Sequence, residues 1–202
     1  MAVRTQTKLS GPETETRYWP PPQGEWTYED YTRLPDNGMC YEVIQGELYM
    51  SPAPTPKHQS IIAALYGYLW DYLKNQPIGK VFFAPIDVKL PDLATPVQPD
   101  LLFIAQERLS IVKEKFIEGV PDLIMEVISP TNPEHDRKTK FGAYALAGVR
   151  EYWIVDPEAR TIEINVLRGQ AYAPLGSFGA DEQTRSEVLP DFSVRLSDVC
   201  PA

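Results

Sequence analysis

Two short apolar runs constrain this chain more than anything else in it. Leu101-Leu102-Phe103-Ile104 closes the first, spanning Gln98–Ile104, and Leu123-Ile124-Met125 opens the core of the second, spanning Asp122–Ile128. Runs of this length read as interior strands of a sheet. Each carries a carboxylate, Asp100 in the first and Glu126 in the second. A charge inside an interior strand is costly unless it is paired or holds a metal. Asp and Glu offer hard oxygen donors, which suit Mg²⁺ or Mn²⁺ rather than zinc. If the two strands are neighbours, both side chains can point to one face and share a cation. The plainer alternative makes them strand-end residues that cap loops or pair with surface arginines.

The rest of the chain supplies the layers. Residues 1–23 read as a flexible tail ending in Pro20-Pro21-Pro22, which fits neither a helix interior nor a central strand. Residues 24–202 read as one domain. A short helix is expected over Thr27–Tyr31, with a threonine at its start and acids in its first turn. Gln45-Gly46 predicts a tight turn that pairs Tyr41–Ile44 with Glu47–Met50. Lys57–Lys74 places Ile61, Ile62, Leu65, Leu69, Tyr72 and Leu73 at helical spacing. A strand is expected over Val81–Leu90, with Pro85 marking an edge or bulge, and a helix over Ile111–Glu118. Pro133–Ala147 reads as a helix closed by Gly148. Tyr152–Val155 and Thr161–Leu167 read as strands, and Ser186–Val199 as one or two more. The sum is an α/β fold: a mixed sheet flanked by helices, with an N-terminal β-hairpin.

Composition removes several function classes. A chain of 202 residues suits one domain with a core of its own. The longest apolar stretch, around Ile61–Trp70, is far short of the ~20 residues that span a bilayer. The polar, Pro-rich N-terminus does not resemble a secretory leader, so the expected location is cytoplasmic and no membrane partner is expected. Cys40 and Cys200 stand apart, with no CxxC pair, which argues against a zinc site and a disulfide framework. There is no glycine-rich phosphate loop and no nucleophilic serine or cysteine triad. The net charge of −9 opposes nucleic-acid binding, although a basic face with bound metal can reverse the local sign.

Asp136, Lys140 and Tyr144 follow one another at intervals of four and share one helical face. A lysine beside two metal-binding acids can position or help deprotonate a water, or stabilise phosphate charge. Metal, lysine and two acids are the equipment for in-line hydrolysis of a phosphodiester. Each residue also has a plainer reading. Lys140 could be a solvated helix lysine. Asp136 could be a first-turn acid answering the helix dipole. His58, at the start of the long helix, could contact a metal or phosphate or simply bond to backbone. His135 reads as a surface loop residue, and Tyr152 and Trp153 as core packing.

Several segments together resemble a bacterial family of putative restriction endonucleases, long catalogued as a domain of unknown function, within the PD-(D/E)XK nuclease superfamily. They are Tyr41-Glu42-Val43-Ile44-Gln45-Gly46-Glu47, Ser51–His58, Pro99-Asp100, Glu126-Val127-Ile128-Ser129-Pro130, Asp136, Lys140, and Gly148-Val149-Arg150-Glu151-Tyr152-Trp153-Ile154-Val155-Asp156-Pro157. The likeness runs from about Thr27 to Phe192. It implies a metal-dependent endonuclease acting on DNA, with Mg²⁺ (or Mn²⁺) held by Asp100, Glu126 and the backbone carbonyl of Val127. It implies that Glu47 faces the site and assists the metal or its water, and that Lys140 orients the attacking water. Accessory places fall to His58, Asp136 and Tyr144. In the superfamily the lysine stands two residues after the acid, where this chain has Ile128; the resemblance implies that Lys140 replaces it from the next helix. A homodimer is expected because cutting both strands takes two sites. The alternatives are a catalytically inactive nuclease-fold module that binds or scaffolds, and a metal-dependent hydrolase of small phosphate esters.

Overall fold

The computed structural model describes residues 19–93, 96–129 and 134–200. Most of the expected N-terminal tail, the start of the expected helix at Pro133, and the Pro130 end of one motif lie outside the described residues.

In chain order, Thr27 caps α1 (Tyr28–Tyr31) in a reciprocal box: its hydroxyl oxygen accepts from Asp30 N–H, and the Asp30 carboxylate accepts from Thr27 N–H. β1 (Met39–Ile44) and β2 (Glu47–Pro52) form the expected hairpin. Gln45 and Gly46 both have positive φ at its tip, and a side chain at Gly46 would run into the Gly24 backbone. α2 (Pro56–Asn75) starts on the Thr55 hydroxyl. Then come β3 (Gly79–Phe83), β4 (Val88–Lys89), β5 (Leu101–Ala105), a 3₁₀ turn (Gln106–Ile111), β6 (Ile117–Glu118) and β7 (Leu123–Val127). A wide, π-type helical turn (His135–Lys140) runs into α3 (Phe141–Ala147), which ends at Gly148 with φ 93°. β8 (Glu151–Asp156), β9 (Thr161–Arg168), β10 (Ala171–Gly179) and α4 (Leu196–Val199) complete the chain.

Six strands form one mixed sheet in the order β10-β9-β8-β7-β5-β3, with β7 and β8 parallel and the other neighbours antiparallel. Alternation along the strands sorts side chains to two faces. On one face Ile61, Leu65 and Leu69 of α2 pack against Phe103, Met125, Val127 and Trp153, with Leu189, Phe192 and Leu196 closing the edge. The other face carries Ile104, Ile124, Tyr152 and Ile154 under Ala143 and Tyr144 of α3. Tyr152 and Trp153 are fully buried packing residues. Cys40 is half-buried, Cys200 is buried, and both are free thiols.

Three expectations fail locally. The strand expected over Val81–Leu90 is broken: Pro85 has no N–H for the ladder, and beyond it β4 leaves the main sheet to pair with β6 and Val97. The helix expected over Ile111–Glu118 is a 3₁₀ turn followed by β6, because Ile117 enters the core and its N–H bonds Asp87. Ser186–Val199 forms no strand; its apolar residues instead dock under the sheet, and α4 ends the segment. The sixth strand, β10, has no alternation to read, since Pro174 and Gly176 flank a bulge in its pairing with β9.

Candidate active site

Asp100 precedes β5 by one residue. Leu101 pairs with Met125, so the next step of the antiparallel ladder sets Asp100 opposite Glu126. The two segments clasp each other there. Val127 N–H donates to Asp100 Oδ2 at 2.8 Å, and Asp100 N–H points at Glu126 Oε2 at 3.4 Å. Glu126 is the one charged residue of β7 and faces α3, where it is 2% exposed. Its Oε1 accepts from Lys140 Nζ at 2.9 Å and from the Tyr144 hydroxyl at 2.7 Å.

Lys140 is buried at the end of the wide turn and reaches three acids. Besides Glu126, its Nζ lies 3.2 Å from Glu42 Oε2 and 3.6 Å from Asp136 Oδ1. The spacing of four does bring Asp136, Lys140 and Tyr144 to one inward face. His58, on the first turn of α2, places Nε2 2.9 Å from the Val127 carbonyl and 3.2 Å from Asp100 Oδ2. It therefore bonds both backbone and carboxylate, which joins the two readings its position allowed.

Glu42 and His135 are the residues that sequence reasoning missed. Glu42 accepts from Gln98 N–H at 2.7 Å, and its other oxygen meets His135 Nε2 at 3.3 Å as well as Lys140. His135 is no surface residue; its ring packs on Tyr49 at 4.5 Å between centroids. Glu47, by contrast, does not complete the acidic cluster. It pairs with Ile44 at the hairpin tip, two residues further along the face that carries Glu42, and is exposed. Its carboxylate accepts from the Tyr49 hydroxyl and lines a shallow cavity of about 790 Å³ beyond the wide turn, with Thr139, Phe141 and Tyr172. The hairpin register was the available signal. It puts Glu42 and Glu47 on one face and only Glu42 away from the tip.

Four carboxylates, Glu42, Asp100, Glu126 and Asp136, thus surround one lysine. Burial would lower the Lys140 ammonium, but Glu126, Glu42 and Asp136 outweigh it and hold Lys140 charged well above its usual range. Burial raises Glu126, Lys140 offsets part of that, and repulsion from Asp100 and Asp136 raises it further. Asp136 is also raised, first by burial. For Glu42, burial pushes up, yet Lys140 and the hydrogen bonds from His135 and Gln98 hold it down at about 2. Burial pushes the Tyr144 hydroxyl well above its ordinary range, so it stays a donor to Glu126.

The donor chemistry suits a hard cation. One nitrogen, His58 Nε2, sits between two oxygens, Asp100 Oδ2 and the Val127 carbonyl, at a point where positive charge is favoured. Asp100, Glu126 and that carbonyl make a set of two carboxylates and one carbonyl, which fits an ion that keeps several waters. Among the described residues no three Asp, Glu, His or Cys side chains are grouped to hold a metal by themselves.

Residues 28–197 match Uma2, described as a putative restriction endonuclease. The chain belongs to the Uma2 family. No curated relative matches it. Among solved structures, a putative nuclease belonging to DUF820 from Anabaena variabilis superposes with a TM-score of 0.71 at 18% identity, covering 86% of this chain and 96% of its own. That likeness establishes the nuclease-like α/β fold for this Uma2 chain, and the family match runs from α1 into α4. Among the described residues, no helix is long and apolar enough to cross a membrane.

Proposed function

We propose that this chain is a metal-dependent endonuclease that hydrolyses DNA phosphodiester bonds. The observation that carries the proposal is the clasp of Asp100 and Glu126 across β5 and β7, with the buried Lys140 ammonium locked onto it. Asp100, Glu126 and the Val127 carbonyl would hold Mg²⁺ or Mn²⁺, which when bound supplies Lewis acidity and a more acidic water. Lys140 stays protonated, so it serves as a fixed donor that orients the water and stabilises charge growing on the phosphate, rather than as a base. Tyr144 and Asp136 hold that lysine and its carboxylate partner in place. His58 would have to swing away from Asp100 and Val127 to admit the cation. DNA is the partner this reading requires, and a homodimer supplies two sites for two strands.

With Mg²⁺ or Mn²⁺ the purified protein should nick supercoiled plasmid, and Asp100→Ala should reduce nicking by at least about 10²-fold. Undiminished cutting by that variant would sink the assignment. A second reading, a non-catalytic member of the fold, has two observations in its favour: the net charge of −9, and a lysine already engaged by three carboxylates. Wild-type protein that binds the ion yet cuts neither plasmid nor small phosphodiesters would establish it.

A further inference from the structure

Lys140 is delivered by a wide turn. π-type turns are rare, occur mostly as single turns and recur at functional sites, and this one has no side-chain cap at its start. Its position must therefore come from tertiary contacts. Lys140 provides one on Glu126, His135 and Lys140 meet Glu42, and the Tyr152 hydroxyl donates to the Asp136 carbonyl. The register of the sheet reveals a further one. Glu126 pairs with Ile154, and Ile154 pairs with Glu163, so the two glutamates lie in one row across β7, β8 and β9. Cross-strand partners share a face, which places the two residues about 10 Å apart along the row on the side covered by the turn.

Arg137, three residues before Lys140, takes the second glutamate. Its Nη1 donates to both Glu163 oxygens at 2.6 and 2.7 Å, and its Nη2 donates to Asp156 Oδ2 at 2.9 Å. Asp156 is itself fixed, because its other oxygen accepts from Glu158 and Ala159 N–H in the turn after β8. One turn thus plants two cations on one row of the sheet, with Ile154 between them.

We propose that Arg137 is a positioning residue: its fork on Glu163 and Asp156 sets where the wide turn sits and so where Lys140 meets Glu126. This rests on the nuclease reading above for its kinetic consequence, not for its geometric one. It also gives Asp156, the acid closing the Glu151–Asp156 strand, a task at the site. A guanidinium is required because only a planar fork can engage two carboxylates in fixed directions.

The test uses the full chain with Arg137→Ala, Arg137→Lys and Glu163→Gln. Reaction of Lys140 with acetic anhydride, followed by peptide mass spectrometry, reads the geometry without any assay of cutting. Lys140 should be protected in the wild type, at least about tenfold more reactive in Arg137→Ala, and intermediate in Arg137→Lys. Tens of millimolar guanidinium, too little to denature, should restore protection to Arg137→Ala. Plasmid nicking by Arg137→Ala should fall about 10²-fold in kcat, the scale of a misplaced catalytic group, with KM for DNA unchanged. Should Arg137→Ala prove unfolded, Glu163→Gln keeps the Asp156 contact and should show the same changes at smaller amplitude. Wild-type protection and kcat in both variants would overturn the proposal. So would a loss in which kcat and KM move together and guanidinium restores nothing, since that marks a merely structural arginine. If the wild type does not nick at all, the nuclease reading falls, while the Lys140 reactivity still decides the role of Arg137.

Discussion

The two faces of the central sheet are built on opposite terms. Under α2 the strands present Leu101, Phe103, Leu123, Met125, Val127 and Trp153, and the packing is mostly apolar, with His58 and the buried Glu151–Trp153 hydrogen bond at its edges. Under the wide turn and α3 the same strands present Ile124 and Ile154 with Glu126 and Glu163. β7 shows the contrast within five residues, since Met125 goes to one side and Glu126 to the other. Apolar burial on the first face contributes about 1.5–3 kcal/mol per fully buried large side chain, wherever on that face the residue sits. On the second face the charged contributions depend on partners, because Glu42, Glu126 and Asp136 share one ammonium.

A pair of substitutions, one on each face, tests that contrast with the largest expected effects. Lys140→Met leaves Glu126, Glu42 and Asp136 buried around no cation. It should cost about 3–5 kcal/mol, the scale of a broken buried ion pair, and abolish nicking. Leu65→Ala, on the fully buried side of α2, should cost a similar ~2–5 kcal/mol through a cavity. Nicking per folded molecule should stay near wild type. Urea unfolding beside the plasmid assay reads both. If Leu65→Ala abolished nicking as completely as Lys140→Met, the two faces would not be separable.

The faces also differ in how much of them could be read beforehand. The α2 face was legible because periodicity alone identifies it: Ile61, Leu65 and Leu69 repeat at helical spacing, and the strands they meet are short apolar runs. Asp100 and Glu126 were legible for the inverse reason, as charges interrupting such runs. Glu42 and His135 were not. Each lies in a segment where a polar residue is unremarkable, and each is drawn inward only by the tertiary approach of Lys140 and Gln98. Glu47 was misplaced because the face of a hairpin is readable and the distance along it to the site is not. β10 escaped notice since a bulge at Pro174 erases its alternation.

A smaller effect sharpens the same contrast through pH. Glu42 is the acid whose partners win, with a folded value near 2 against an ordinary 4.5. Its contribution should be fully present above about pH 4.5 and lost as pH falls through about 2. Glu42→Gln should therefore destabilise the protein at pH 7 by about 1–3 kcal/mol, the cost of weakening charge-assisted bonds in a buried place. The gap to wild type should narrow below pH 4.5. Stability against pH, followed by circular dichroism in urea, measures it. A gap that widened on acidification would reverse the sign assigned to Glu42.

Glu126 should behave in the opposite way. Burial is the first cause of its raised carboxyl, and Asp100 and Asp136 add to it against the pull of Lys140. An acid whose folded pKa lies above its unfolded one favours the fold at low pH, and that advantage is lost as pH rises through the folded value. Glu126→Gln removes this term. The amide can still accept from Tyr144, and Lys140 keeps Glu42 and Asp136. The variant should thus lie within about 1 kcal/mol of wild type near the ordinary carboxylate range and gain on it as pH rises above that range, while losing all nicking. A residue whose neutral isostere raises stability and removes function holds its charge for the ligand rather than for the fold. If Glu126→Gln instead lost stability as pH rose, Glu126 would belong with Glu42 as a structural partner of Lys140, and the second face of the sheet would be organised around the lysine alone.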